Sequence, residues 1–230
     1  MLKSILVSLD RDGWRFVLIF AFVTLIFYIL SSVLGFLGVI LTVWCFYFFR
    51  DPDRVTPTRE GLIISPADGR VVSIGAGNPP AELELDSQET WTKISIFLNV
   101  FDVHVNRVPI DGKLIKSVYH PGKFLNASFD KASDVNERHS YVIKHNPKIS
   151  IPFVQVAGLI ARRIRCDVKE GDKLKAGQRF GMIRFGSRMD VYLPKGISAL
   201  ICEGQRMIGG ETILADLNAK KGSPMEGDIR

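Results

Sequence analysis

The chain has 230 residues, long enough for one or two domains with a sizeable core. It carries a net charge of +6 with 47% hydrophobic residues, yet its Lys and Arg are scattered, with no zinc-finger spacing, basic helix or aromatic–basic ladder. That distribution argues against nucleic-acid binding and favours anionic lipid as the partner of a basic chain carrying an apolar segment. Cys45, Cys166 and Cys202 are far apart and form no CxxC pair. They point to a reducing compartment without disulfides or structural zinc, and four dispersed histidines do not make a metal site.

Residues 1–15 mix Lys3, Arg11 and Arg15 with Asp10 and Asp12, and from Phe16 to Phe49 no side chain is charged. As one helix this run would be about 51 Å long, against a hydrocarbon core of about 30 Å. Ser31-Ser32 and Gly35–Gly38 divide it into two apolar arms of about 15 residues. A re-entrant or tightly turned helical hairpin is therefore expected rather than a single crossing. The run is too long for a signal peptide. Arg11 and Arg15 before it and Arg50 and Arg54 after it place both ends, and the domain that follows, on the cytoplasmic side of the cell membrane.

From Asp51 the composition changes. Residues 51–60 read as a linker, with Pro52 and Pro57 and no apolar period. Strands are expected at Gly61–Ile64, Gly69–Ile74, Thr92–Leu98, Lys113–Tyr119, Tyr141–Lys144, Ile149–Val156 and Ala161–Val168, punctuated by Gly, Pro, Asn and Asp as in an antiparallel sandwich or barrel. Residues 121–138 read as loop with a little helix. The chain thus divides into a membrane-associated segment 1–50, the linker, a β-rich domain 61–220 and a polar, disordered tail 221–230.

Two internal echoes stand out. Glu170-Gly171 to Phe180 recurs as Glu203-Gly204 to Ile213, each reading EGxxhxxGxxh with h apolar. Two copies suggest a pseudo-symmetric β-sandwich rather than a solenoid. This resembles the barrel-sandwich hybrid of lipoyl and biotinyl domains, where such turns flank a central hairpin that carries a lysine. Here the middle of the repeat holds Gly186-Ser187. The second echo is Pro66-Ala67-Asp68-Gly69 and Pro109-Ile110-Asp111-Gly112, each before an apolar run. It is ordinary turn chemistry, so the motif alone identifies no catalytic aspartate.

Between the repeats, Arg184 to Pro194 alternates apolar and polar residues like a strand with Gly186-Ser187 set into its middle. One reading is a β-bulge with a solvent-facing serine. The other is a reactive peptide bond, in which the Ser187 hydroxyl attacks an unhindered Gly186 carbonyl. Upstream, Asp102, His104 and Asn106 would share one strand face, and a histidine near its ordinary pKa suits proton transfer. His139 and His145 receive no role.

Taken in order, Ser65-Pro66-Ala67-Asp68-Gly69, Phe101-Asp102-Val103-His104-Val105-Asn106-Arg107-Val108-Pro109, Tyr119-His120-Pro121-Gly122, Asn136-Glu137-Arg138 and Phe185-Gly186-Ser187 resemble the phosphatidylserine decarboxylases, in their compact branch of roughly 230 residues. The resemblance covers nearly all of the chain after the apolar segment. It implies self-cleavage between Gly186 and Ser187 through an ester and a dehydroalanine, with release of ammonia. A β chain 1–186 and an α chain 187–230 would stay associated, and Ser187 would become a pyruvoyl cofactor. That group would form a Schiff base with the serine amine of phosphatidylserine, replace pyridoxal phosphate as electron sink, and yield phosphatidylethanolamine. Asp68 would assist maturation and His104 would transfer protons. Two positions depart from the long branch of the family. Arg107 stands where a second histidine occurs there, leaving His104 to carry both roles or Arg107 to serve the phosphate or carboxylate. Arg188 stands where Thr is often found. His120 is a further candidate proton donor. The rival readings are a non-enzymatic, membrane-tethered carrier or adaptor of lipoyl type, which lacks its modifiable lysine here, and a pyruvoyl decarboxylase of a soluble amino acid.

Overall fold

The uncharged run folds into two helices, α1 (Gly13–Leu30) and α2 (Ser32–Phe48), separated only by Ser31 in an extended conformation. In this computed structural model the residues described are 7–85, 90–125, 135–158, 163–184 and 186–219. The helices run antiparallel, and they can approach closely because Gly38 faces Thr24 and Gly35 faces Tyr28. A Cβ on either glycine would come within 2.7 and 2.3 Å of those side chains. Thr24 and Thr42 hydroxyls meet at 3.0 Å across the seam. The arms are 18 and 17 residues, longer than expected, because Gly35–Gly38 lies inside α2 rather than in the turn. At 1.5 Å per residue each is about 26 Å long, near the hydrocarbon thickness, and α1 is long and apolar enough to cross a membrane.

A neck closes the open end of the hairpin. The Asp10 N–H donates to Phe49 O at 2.9 Å and the Asp51 N–H to Ser8 O at 2.7 Å. Arg165 then ties Asp10 and Asp12 to the body at 2.6 and 2.8 Å, and Arg184 takes Asp12 at 2.8 Å. The helices are therefore joined to the β body by backbone and charge, not by a free tether. Residues 51–58 have no regular structure and lie along the body, where Asp51 meets Arg107 and Arg179, Arg54 meets Asp68, and Glu211 accepts the Val55 N–H.

The body contains β1 (Leu62–Ile64), β2 (Gly69–Ala76), β3 (Thr92–Leu98), β4 (Val105–Arg107), β5 (Gly112–His120), β6 (Arg138–Lys144), β7 (Ser150–Ala157), β8 (Ile164–Cys166), β9 (Lys173–Leu174), β10 (Arg179–Ile183), β11 (Ser187–Leu193), β12 (Arg206–Met207) and β13 (Ile213–Asp216). Eight of them form a curled antiparallel sheet in the order β12-β2-β3-β11-β7-β6-β5-β9. β4-β10-β8 and β1-β13 make two smaller sheets. The mostly β reading therefore holds. The first two residues of the expected strand Ala161–Val168, residues 126–134 within the expected loop, Phe185 and the expected tail 221–230 lie outside the described residues.

The sequence echoes have a common structural cause. β9 closes one end of the large sheet on β5 and β12 closes the other on β2, with Leu174 opposite Gly112 and Met207 opposite Gly69. The Gly171 N–H donates to Leu114 O and the Gly204 N–H to Val71 O, both at 2.8 Å. Glu170 accepts the Ser117 N–H at 2.7 Å, and Glu203 accepts the Ile74 N–H at 2.8 Å. Even the bulges match, between Leu114 and Lys116 in β5 and between Val71 and Ser73 in β2. Each EG turn thus clasps one DG turn, twice, in two pseudo-equivalent halves. β11 and β7 pair in the middle of the large sheet, and the side chains of Met189, Val191 and Leu193 enter the main core beside Ile96, Phe153 and Tyr141.

β11 departs from the expected alternating strand. Its seven residues are all buried, because Tyr192 on the opposite face packs beneath Trp91 with Val154 and Val156. Arg188 and Asp190 lie in the same buried layer, joined by a two-pronged ion pair at 2.9 and 3.1 Å. The strand also begins at Ser187, so Gly186 is a bend at its entrance rather than a bulge within it.

Candidate active site

Ser187 is held at the start of β11 between Leu98 of β3 and Ala157 of β7. It is fully buried, and its hydroxyl has no hydrogen-bond partner. A buried hydroxyl without a partner costs about 1–3 kcal/mol, so a serine kept in that state is a feature to explain. Gly186 immediately before it has φ +72, the left-handed region, and nothing lies within 4 Å of where a Cβ would sit. Glycine is required there by backbone conformation, not by space.

His104 is the group that reaches this bend. It precedes β4 and is fully buried. The Gly186 N–H donates to His104 Nε2 at 3.2 Å, while Nδ1 lies 2.9 Å from Asp102 O. A carbonyl can only accept, so Nδ1 carries the proton and the Nε2 lone pair accepts the Gly186 N–H, one residue before Ser187. The Phe48 ring at the end of α2 lies on the imidazole, centroids 4.3 Å apart. Cys45, Phe49, Val103, Val105 and Met182 complete the apolar packing around it. Burial, opposed by the Asp102 carbonyl and assisted by the nearby Arg50 charge, brings the His104 pKa down to about 4. The imidazole is neutral at physiological pH and able to act as a base.

The expectation that Asp102, His104 and Asn106 share a strand face is not met. β4 covers only Val105–Arg107, because Asn99 and Asp102 close a turn just upstream: Asp102 Oδ2 accepts the Asn99 N–H, and Asn99 Oδ1 accepts the Phe101 N–H. The three side chains diverge. Asp102 pairs with Arg206 at 3.0 Å, His104 turns to Gly186, and Asn106 accepts from Gln155 at 2.8 Å within the Tyr141–Gln155 network.

Among the described residues, the Asp68 carboxylate bonds to neither Ser187 nor His104. Its carboxylate accepts the Gly209 N–H at 2.8 Å, and Arg54 Nη2 lies 3.0 and 2.9 Å from its two oxygens. In the other half of the pseudo-symmetric body, Asp111 accepts the Ala176 N–H in the same way, at 2.6 Å. The turn bond is therefore common to both aspartates. What sets Asp68 apart is its burial, which raises its pKa against the pull of Arg54 and Gly209, and its proximity to the charge of Asp102.

Arg107 is buried and occupied within the fold. Its guanidinium donates to Gly177 O at 2.9 Å and Pro52 O at 2.7 Å, and meets Asp51 at 3.4 Å. His120 is exposed at the end of β5, opposite Arg138. From Ser187 the path crosses β7 and β6, roughly 14 Å at the usual strand spacing. The geometry thus brings His104 to Gly186 beside Ser187, leaves Asp68 beside Arg54, and gives neither Arg107 nor His120 a place at the Gly186–Ser187 step. The sequence gives no signal of Phe48 at this site, and it shows Arg54 only as a charge flanking the apolar run. Asn136 was quoted only as part of a motif. It donates to Ala157 O, the residue opposite Ser187, at 2.7 Å.

In class, this is a mostly β protein with a helical hairpin foot, in which a buried, unpaired serine follows a left-handed glycine and a neutral histidine faces the step. The profile of the phosphatidylserine decarboxylase family matches residues 41–215. The chain is 57% identical over 219 residues to the phosphatidylserine decarboxylase proenzyme of Cereibacter sphaeroides, covering 95% of this chain and 94% of that one. It is 52% identical over 228 residues to the proenzyme of Paramagnetospirillum magneticum, covering 99% and 94%. With the proenzyme of Ruegeria pomeroyi the identity is 55% over 217 residues, covering 94% and 99%. The chain belongs to the phosphatidylserine decarboxylase family.

Proposed function

We propose that this chain is a self-processing, pyruvoyl-dependent decarboxylase that converts phosphatidylserine to phosphatidylethanolamine. Beyond the family membership, the observation that carries the reading is the buried, unpaired Ser187 hydroxyl next to a left-handed Gly186 whose N–H is held by His104 Nε2. These residues fit the formation of a serine-derived pyruvoyl group.

In maturation, His104 takes the Ser187 Oγ proton as Oγ bonds to the Gly186 carbonyl carbon. The carbon–nitrogen bond breaks, the Ser187 nitrogen takes up a proton, and Gly186 is left as an ester on Oγ. Removal of the Ser187 α-proton expels the Gly186 carboxylate and leaves dehydroalanine, whose hydrolysis releases ammonia. Asp68, buried with Arg54, shapes the field beside this step and holds the turn at Gly209. Once formed at position 187, the pyruvoyl group would supply an electrophilic carbonyl to which the substrate amine can bond, and with it a sink for the electron pair left when carbon dioxide departs. His104 returns a proton to the substrate α-carbon.

The two chains stay together because β11, β12 and β13 pair with β3, β7, β2 and β1, every one of them on the other side of the cut. The matched turn bonds of the two halves support a barrel-sandwich hybrid of lipoyl type for the body. The apolar outer surface of the hairpin, with Leu18, Phe22, Ile29 and Phe36 all more than half exposed, supports insertion into the membrane, and the flanking Arg11, Arg15, Arg50 and Arg54 favour the body on the cytoplasmic side. The enzyme would thereby sit beside its lipid substrate.

The test is carbon dioxide release and phosphatidylethanolamine formation by the purified full chain on phosphatidylserine vesicles. A fully cleaved preparation that forms neither would overturn the reading, and equal turnover of free serine would move it to a soluble substrate.

A further inference from the structure

We propose that Arg50, in the neck beneath the helical hairpin, is the residue that grips the phosphate of the lipid headgroup and so presents the serine amine to position 187. The inference rests on the phosphatidylserine reading above.

Arg50 is the first charged side chain after the apolar run. A backbone bridge to Leu9 fixes it where the hairpin meets the body. A cation at that position lies at headgroup depth when the helices are in a bilayer. Its guanidinium donates to Tyr47 O at 2.7 Å and to Phe101 O at 2.8 Å, and lies over the Tyr47 ring at 3.7 Å. Those bonds use two of five N–H donors. They fix the direction of the fork without neutralising it.

The surrounding arginines are different. Arg54, Arg107, Arg165, Arg179, Arg184 and Arg206 each meet a carboxylate. Among the described residues, Arg50 makes no contact ion pair: it bonds carbonyls and lies over a ring, while Asp68 and Asp102 act on it only at longer range. A planar, oriented guanidinium without a contact ion pair suits a phosphate, which accepts two parallel N–H bonds.

Its position relative to the chemistry is also defined. Phe101, whose carbonyl Arg50 holds, lies three residues before His104, and Phe48, two residues before Arg50, packs at a tilt against the His104 ring. Phe101 and Tyr47 are 59% and 46% exposed beside the guanidinium, apolar surface against which the glycerol end of a lipid can rest. In phosphatidylserine only an oxygen and two carbons separate phosphorus from the amine nitrogen. A phosphate held at Arg50 therefore places the amine near the group that His104 faces.

The experiment compares wild type, Arg50→Gln, Arg50→Lys and Arg15→Gln as full chains in mixed micelles. Two substrates are used, phosphatidylserine and O-palmitoyl serine, which keeps the amine and carboxylate but has no phosphate. Intact mass first establishes that each variant has cleaved itself. The expected result is a KM for phosphatidylserine raised at least tenfold in Arg50→Gln, with kcat within threefold and partial recovery in Arg50→Lys. The loss in kcat/KM on O-palmitoyl serine should be at least five times smaller. Arg15→Gln, a cation near the same surface, should change KM less than twofold. Equal losses on both substrates would overturn the proposal in favour of a carboxylate contact or a capping role. So would a loss in Arg15→Gln as large as in Arg50→Gln, which would indicate general attraction to lipid. If Arg50→Gln fails to cleave, Arg50→Lys carries the comparison, and an unchanged KM there and undiminished inhibition by phosphatidic acid would equally overturn it. Absence of turnover in wild type would instead contradict the decarboxylase reading itself.

Discussion

At the scale of single residues, Asp68 and Asp111 form a built-in control. Both accept a backbone N–H from the clasping turn, and an asparagine can keep that bond at either position. Only Asp68 is buried against an arginine, Arg54. Asp68→Asn should slow self-cleavage at least tenfold, followed by intact mass over time, while Asp111→Asn processes at the wild-type rate. Wild-type processing in both would reduce Asp68 to a turn residue. His104 offers a second test, because the Phe48 ring is part of what keeps it dry. Phe48→Ala admits water, so the imidazole pKa should climb from about 4 towards its ordinary 6.5. Titration of the ring by NMR would measure this, and a pKa left near 4 would contradict the role given to Phe48.

At the scale of elements, the sequence reveals what is encoded locally and misses what depends on distant partners. The helix pair was visible as an uncharged run, and the EG and DG echoes announced two related halves, because turn chemistry repeats in residue types. The entrance to β11 was misread as the middle of a strand: Arg184 to Pro194 alternates well, and only the +72 φ of Gly186 and the pairing of Ser187 with Leu98 and Ala157 locate the break. Likewise nothing near His104 in sequence signals Phe48, and nothing near Asp68 signals Arg54, since each contact joins residues of different segments that only the tertiary fold brings together. The bend has its own consequence. Alanine at 186 finds open space but the wrong backbone region, a cost of about 1–2 kcal/mol. In an uncut Ser187→Ala background, Gly186→Ala should lower unfolding stability by that amount, measured in urea. No change would contradict the left-handed assignment.

At the scale of the whole molecule, the proposed cut would fall where it separates least. An α chain starting at Ser187 would contribute β11 to the centre of the large sheet, with β3 on one side and β7 on the other, so both products would share one core. Acid should attack this body through its buried histidine. His104 titrates at about 4 when folded and near 6.5 when unfolded. Between those values the unfolded chain binds more protons, so its contribution to stability is complete above pH 6.5 and is lost as pH falls towards 4, by up to about 1.4 kcal/mol per pH unit. In the uncut background, His104→Gln should flatten that slope in urea unfolding between pH 6.5 and 4. An unchanged slope would mean that the imidazole is not held neutral. The central claim, however, is that the Gly186–Ser187 step remakes itself. Its most direct test is the intact mass of purified wild type beside Ser187→Ala. The account predicts two wild-type fragments, 1–186 and 187–230, the smaller with a blocked N-terminus, and a single uncut Ser187→Ala chain. A wild-type protein that remains one chain of 25.7 kDa would contradict it.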